Sequence, residues 1–102
     1  MAFQYKPATL KKLEAWFKEA GYLIRYERGN FNSGYCILEQ KRVVVINKFF
    51  DLEARLNALV DIQTEILPAL REHNPDLAED GAEWVEARAA VRPGLPSGVT
   101  DA

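Results

Sequence analysis

Two runs of four residues, Tyr35-Cys36-Ile37-Leu38 and Val43-Val44-Val45-Ile46, are apolar at every position and stand four residues apart. Four residues suit a strand and are too few for a helix. Side chains of a strand point alternately to its two faces. If Gln40 and Lys41 form a two-residue hairpin loop, Glu39 faces Arg42 as a favourable cross-strand pair. Cys36, Leu38, Val43 and Val45 then share one face, and Tyr35, Ile37, Val44 and Ile46 the other. A sheet with one wet side alternates apolar and polar positions, and this one does not. Both faces require cover, the second from a helix of the same chain or from a second copy. Tyr35, Ile37, Val44 and Ile46, with Trp84, are therefore the candidate interface residues.

The flanking sequence supplies the rest of the layout. Residues 22–28 alternate and are rich in aromatic and branched side chains, as a strand is. Residues 29–34, Gly-Asn-Phe-Asn-Ser-Gly, are turn chemistry. Short links favour antiparallel neighbours, because parallel ones need a crossover of about a dozen residues. Residues 8–20 predict a helix, with Leu10, Leu13, Phe17 and Ala20 on one face and Gly21 as its stop. Asp51 predicts an N-cap for a second helix, whose apolar stripe runs from Leu52 to Leu67, with Pro68 kinking or ending it. A third helix starts at Pro75 or Asp76 and runs to about Val91, weakened by about 1 kcal/mol at Gly81. The expected fold is α+β, in the order α-β-β-β-α-α, with a three-stranded antiparallel meander packed by helices. Residues 1–91 are expected to form one domain. Residues 92–102, with two prolines and two glycines, have the composition of a linker or an extended arm.

Composition narrows the class. The 102 residues make one domain, and 48% hydrophobic content supports a core. The one cysteine excludes a disulfide framework within the monomer and a cysteine-based zinc site. Residues 1–5 do not read as a signal peptide, and no run approaches the roughly 18 apolar residues of a membrane span. A cytoplasmic address without membrane contact is the expectation. The net charge of −2 conceals a split: nine Lys or Arg against four Asp or Glu in residues 1–48, and four against eleven in residues 49–102. Such halves can face each other, within the chain or across a dimer, or the basic one can meet an anionic partner.

The chemistry-bearing residues are few. Arg25, Arg28, Asn30 and Phe31, with Lys41, Arg42 and Lys48, could form a basic, aromatic surface at one end of the sheet. Arginine beside stackable rings is the chemistry of nucleotide or single-stranded nucleic-acid binding; a solvated sheet edge guarded by charge is the plainer account. The 29–34 loop lacks the Gly-Lys-Ser/Thr of a phosphate loop. Cys36 lies among apolar neighbours and reads as an inert core thiol, although pairing with the lone His73 would make a cysteine nucleophile. The carboxylates of the last helix repeat at surface spacing. No catalytic residue, metal ligand or cofactor is read from the pattern.

Tyr26-Glu27-Arg28-Gly29-Asn30-Phe31, Gly34-Tyr35-Cys36 and Val43-Val44-Val45-Ile46-Asn47-Lys48 together resemble a small uncharacterised family of Bacteroidetes-type bacteria. The resemblance spans roughly residues 10–67 and implies no activity. The strand ending Val-Ile-Asn before an acid-entered helix also resembles the ImmA/IrrE metallopeptidases. Their helix carries His-Glu-x-x-His for zinc; here residues 56–63 read Leu-Asn-Ala-Leu-Val-Asp-Ile-Gln, without histidine. That likeness implies a retained fold without zinc chemistry. The functional expectation is a non-enzymatic protein–protein interaction or adaptor protein, homodimeric, with a nucleic-acid or nucleotide-binding module as the alternative.

Overall fold

A computed structural model describes residues 2–28, 35–38 and 41–91, and at Tyr35, Cys36 and Leu38 it describes the backbone alone. The elements follow the order α1 (Pro7–Glu19), β1 (Leu23–Glu27), β2 (Tyr35–Leu38), β3 (Val43–Asn47), α2 (Leu52–His73) and α3 (Pro75–Ala89). The class is mixed α+β, as the periodicities imply. Asn30, Phe31 and the 92–102 tail lie outside the described residues.

The sheet departs from the expected meander. Its strand order is β1-β3-β2, with β3 in the centre. β2 and β3 form the expected antiparallel pair, Cys36 opposite Val45 and Ile37 opposite Val44. β1 runs parallel to β3, with Leu23 opposite Val43 and Tyr26 opposite Ile46. The crossover rule is met in a way the link lengths concealed. Fifteen residues separate Glu27 from Val43, enough for a parallel connection. Within those residues β2 is the crossover, where a helix is more usual.

Central placement of β3 explains its composition, because a strand flanked on both edges is the least wet of the three. Its inner-face residues Val44 and Ile46 are fully buried in one core cluster with Leu13 and Phe17 of α1 and Leu56, Leu59 and Ile62 of α2. Ile24, Tyr26 and Ile37 pack against that cluster from the neighbouring strands. The face of Ile37, Val44 and Ile46, expected with Tyr35 as an interface, is thus the core face, covered by the chain's own helices; the Tyr35 side chain lies outside the described residues. Among the described residues, the core cluster takes no residue from the other face.

The helix ends follow local chemistry. Gly21, at φ +88°, ends α1 in a left-handed turn. The Tyr22 N–H donates to Phe17 O and the Gly21 N–H to Lys18 O, the paired bonds of a Schellman stop. Asp51 caps α2 by accepting from Ala54 N at 2.9 Å. Asn74 caps α3 by accepting from Leu77 N at 3.2 Å. Pro68 does not end α2, which continues to His73. Exposure of Pro68 leaves the freed carbonyl one turn back to water. Gly81 is no defect either: a Cβ there would lie 2.6 Å from Trp16 Cζ2 and 2.9 Å from Leu67 Cδ2, so α3 approaches α1 and α2 closely because the side chain is missing.

Candidate interaction surfaces

The outer face of the sheet is built by the register. Leu23 sits beside Val43, and Arg25 beside Val45. On the far side of β3, Leu38 and Cys36 occupy the positions opposite the same two valines. Leu23 is 59% exposed, Val43 is half-buried, and Val45 is buried at 9%. None of the three belongs to the core cluster, which takes its sheet residues from the inner face alone. Arg25 and Glu27 border this apolar row and pair with each other at 2.6 Å. Both side chains are about half exposed, so the pair adds at most about 1 kcal/mol to stability.

The basic candidates do not form one surface. Lys41 and Arg42 precede β3 and Lys48 follows it, so a strand of five residues, about 17 Å, separates them. Arg42 has a structural task. Its backbone is left-handed at φ 53°, its carbonyl accepts from Leu23 N, and its guanidinium reaches Ala20 O at the end of α1, 3.4 Å away. A cation there complements the carbonyl end of the helix.

Arg28 and Lys48 do come together, over a ring that sequence reasoning passed by. The Arg28 guanidinium carbon lies 5.5 Å and Lys48 Nζ 5.4 Å from the centroid of Phe49. Phe49 is 65% exposed, on the turn between β3 and α2. Asn47 Oδ1 fixes that turn by accepting from Phe49 N at 2.9 Å. The signal was present as Asn47-Lys48-Phe49-Phe50, a turn with two rings of which only one can point into the core.

Two polar clusters brace the interior. Tyr26 donates to Glu14 of α1 in a short hydrogen bond. Its ring lies 4.7 Å from the Arg55 guanidinium of α2, which itself donates to Phe50 O and Lys48 O. Burial, then the bond to Glu14 and that residue's charge, push the Tyr26 phenol well above its ordinary value, with Arg55 opposing. The second cluster joins the N-terminal segment to α2 and α3. Tyr5 donates to Asn57 Oδ1 at 2.9 Å, and Arg88 donates to Asn57 O and meets Asp61 at 2.7 Å. Burial raises the Tyr5 phenol, with Arg88 pulling it back. Both clusters are satisfied internally, which is the pattern of structural ties.

Trp84, the remaining interface candidate, is half-buried and stands edge-on to Phe3, 6.0 Å between centroids. It lines a shallow groove between α1 and α3 with Trp16, whose Nε1 donates to Leu77 O. His73 ends α2, exposed. Among the described residues, no group of three or more His, Cys, Asp or Glu gathers as a metal site would require. Among those residues, too, no helix is long and apolar enough to cross a membrane. Comparison with protein-family models, curated proteins and solved structures finds no match.

Proposed function

We propose that this chain is a non-enzymatic interaction protein that self-associates through the outer face of its sheet. The observation that supports this is that Leu23, Val43 and Val45 stand side by side on the outer face and, among the described residues, outside the core cluster; the Leu38 and Cys36 positions continue the row by register. The second copy is favoured by the polar border of that row. One cation and one anion, Arg25 and Glu27, stand two residues apart on the same strand. A twofold axis sets Arg25 of each copy against Glu27 of the other, the self-complementarity of an isologous interface.

Size sets the expected affinity. Three strands of about five residues cover about 14 by 17 Å, well below the roughly 800 Å² per partner of a standard interface. The dimer is therefore weak and concentration-dependent. Sedimentation velocity from about 1 µM to 1 mM tests it, with association expected in the upper decade. Leu23→Lys and Val43→Lys, which place a charge on the face without touching the core, should keep the chain monomeric throughout. A monomer at 1 mM for the unaltered chain refutes the reading.

Arg28, Lys48 and Phe49 favour a second reading, in which the carboxyl end of β1 and β3 binds single-stranded nucleic acid or nucleotides. Two cations beside an exposed ring supply phosphate contacts and a stacking surface. Binding of an oligothymidine should then weaken with salt and in Phe49→Ala and Arg28→Ala. No binding at 20–50 mM salt removes this reading.

A further inference from the structure

We infer that the groove between α1 and α3 is a docking site for an arginine or lysine side chain carried by a partner protein. The groove encloses about 270 Å³ and is lined by Lys12, Trp16 and Glu19 of α1 and by Asp80, Glu83 and Trp84 of α3. That volume falls just below the range typical of small-molecule pockets and suits one long side chain. Its two walls carry the only tryptophans in the chain. Trp16 is held by its bond to Leu77 O and by Gly81 against its ring. Trp84 is held by Phe3. Trp16, 4% exposed, forms the floor of the groove, and the half-buried Trp84 is the pre-positioned ring that offers apolar surface to an aliphatic stem and a π face to a cation.

The rim supplies the charge. Glu19, Asp80 and Glu83 are exposed, and no ion pair engages any of them among the described residues. Among the described residues, Lys12 is the one cation on the lining. Beyond the rim, α3 also carries Asp76, Glu79 and Glu86, while its one arginine, Arg88, is committed to Asp61 and Asn57. The field around the groove is thus acidic, which steers a cationic segment toward it and repels an anionic one. The groove and the outer sheet face use no residue in common, so this inference stands apart from the self-association reading.

Both tryptophans line the groove, so intrinsic fluorescence of the full chain reads occupancy directly. The probe is a glycine–serine peptide carrying two arginines, with a control that replaces them by glutamines. The arginine peptide should give a saturable change at millimolar concentration or below, on the order of tenfold weaker at 0.5 M than at 0.05 M salt. Asp80→Asn/Glu83→Gln, two exposed changes that leave the tryptophans in place, should abolish it while circular dichroism stays unaltered. An equal response to the glutamine peptide, an undiminished response in the double variant, or no response below 10 mM overturns the inference. A change that appears with protein concentration alone and disappears in Arg28→Gln/Lys48→Gln overturns it as well, because the occupant is then a second copy.

Discussion

Gly81→Ala separates helix propensity from packing, because the two demand opposite signs. Gly81 lies inside α3, where alanine gains about 1 kcal/mol by propensity alone. Against that gain, the new Cβ would stand 2.6 Å from Trp16 Cζ2 and 2.9 Å from Leu67 Cδ2, far inside ordinary contact. Leu67 can turn its terminal methyl away. Trp16 cannot, being 4% exposed, bonded to Leu77 O at 3.0 Å and edge-on to Phe17 at 5.0 Å. Overpacking costs about 1–3 kcal/mol, and losing the indole bond a further 0.5–1.5 kcal/mol or so. After the propensity gain the net loss is about 2 kcal/mol, or a melting temperature lower by roughly 10 °C for a domain of this size. Urea titration of the single variants, Trp16→Phe and the double variant completes the cycle. The smaller ring should relieve the clash and leave a coupling of about 1 kcal/mol or more. A Gly81→Ala variant more stable than the parent would refute the close-approach argument outright.

Gln63→Met should stabilise the chain by about 1–3 kcal/mol in chemical denaturation, because Gln63 is fully buried and, among the described residues, neither its Nε2 nor its Oε1 finds a partner. Arg42→Ala should lower stability by about 1 kcal/mol through the lost contact with Ala20 O, while oligothymidine binding, if present, stays unchanged. Asp51→Ala should cost about 1 kcal/mol of stability by removing the cap on Ala54 N. The Tyr26 phenol keeps its proton in the folded state above the pH at which the unfolded chain loses it, so stability is complete below about pH 10 and declines as pH rises beyond it. Tyr26→Phe should flatten that alkaline limb in thermal melts, and an unchanged limb assigns it to another group.

The helices were legible because each is fixed by local signals: Gly21 for a left-handed stop, Asp51 for a cap, Pro75 for a first turn. The pairing of β2 with β3 was equally local, since four residues cannot link anything but adjacent antiparallel strands. What escaped was the position of β1, because strand order is set by which pairing buries most. β1 carries Arg25 and Glu27 on its outer face, and β3 carries valine and isoleucine throughout 43–46. The charged strand takes an edge, where exposed charge also discourages further pairing, while β2, as apolar as β3 over 35–38, takes the other edge. Strand composition carried the edge position of β1 but did not choose between β2 and β3 for the centre, and the lengths of the links carried neither. The separation of the basic candidates escaped for a related reason. A residue such as Arg42 looks free in a list of cations, and only the end of α1, twenty-two residues earlier, assigns it a task.

The charge split can be followed to its consequence. Facing halves would pair basic residues of 1–48 with acidic residues of 49–102. The ion pair of Arg25 with Glu27 lies within the first half and that of Arg88 with Asp61 within the second. The halves are joined instead by neutral and aromatic ties: Tyr5 to Asn57, Trp16 to Leu77 O, and the Tyr26 ring beneath Arg55. Folding therefore leaves the asymmetry on the surface, with Arg28 and Lys48 beyond one end of the sheet and the carboxylates of α3 along the helical layer. At low salt such a layout attracts partners of opposite sign to two separate places. Neutralising Asp80 and Glu83 should change binding at the groove and leave the Arg28–Phe49–Lys48 end as it was. Coupled losses at both places would mean that the two surfaces meet each other across copies.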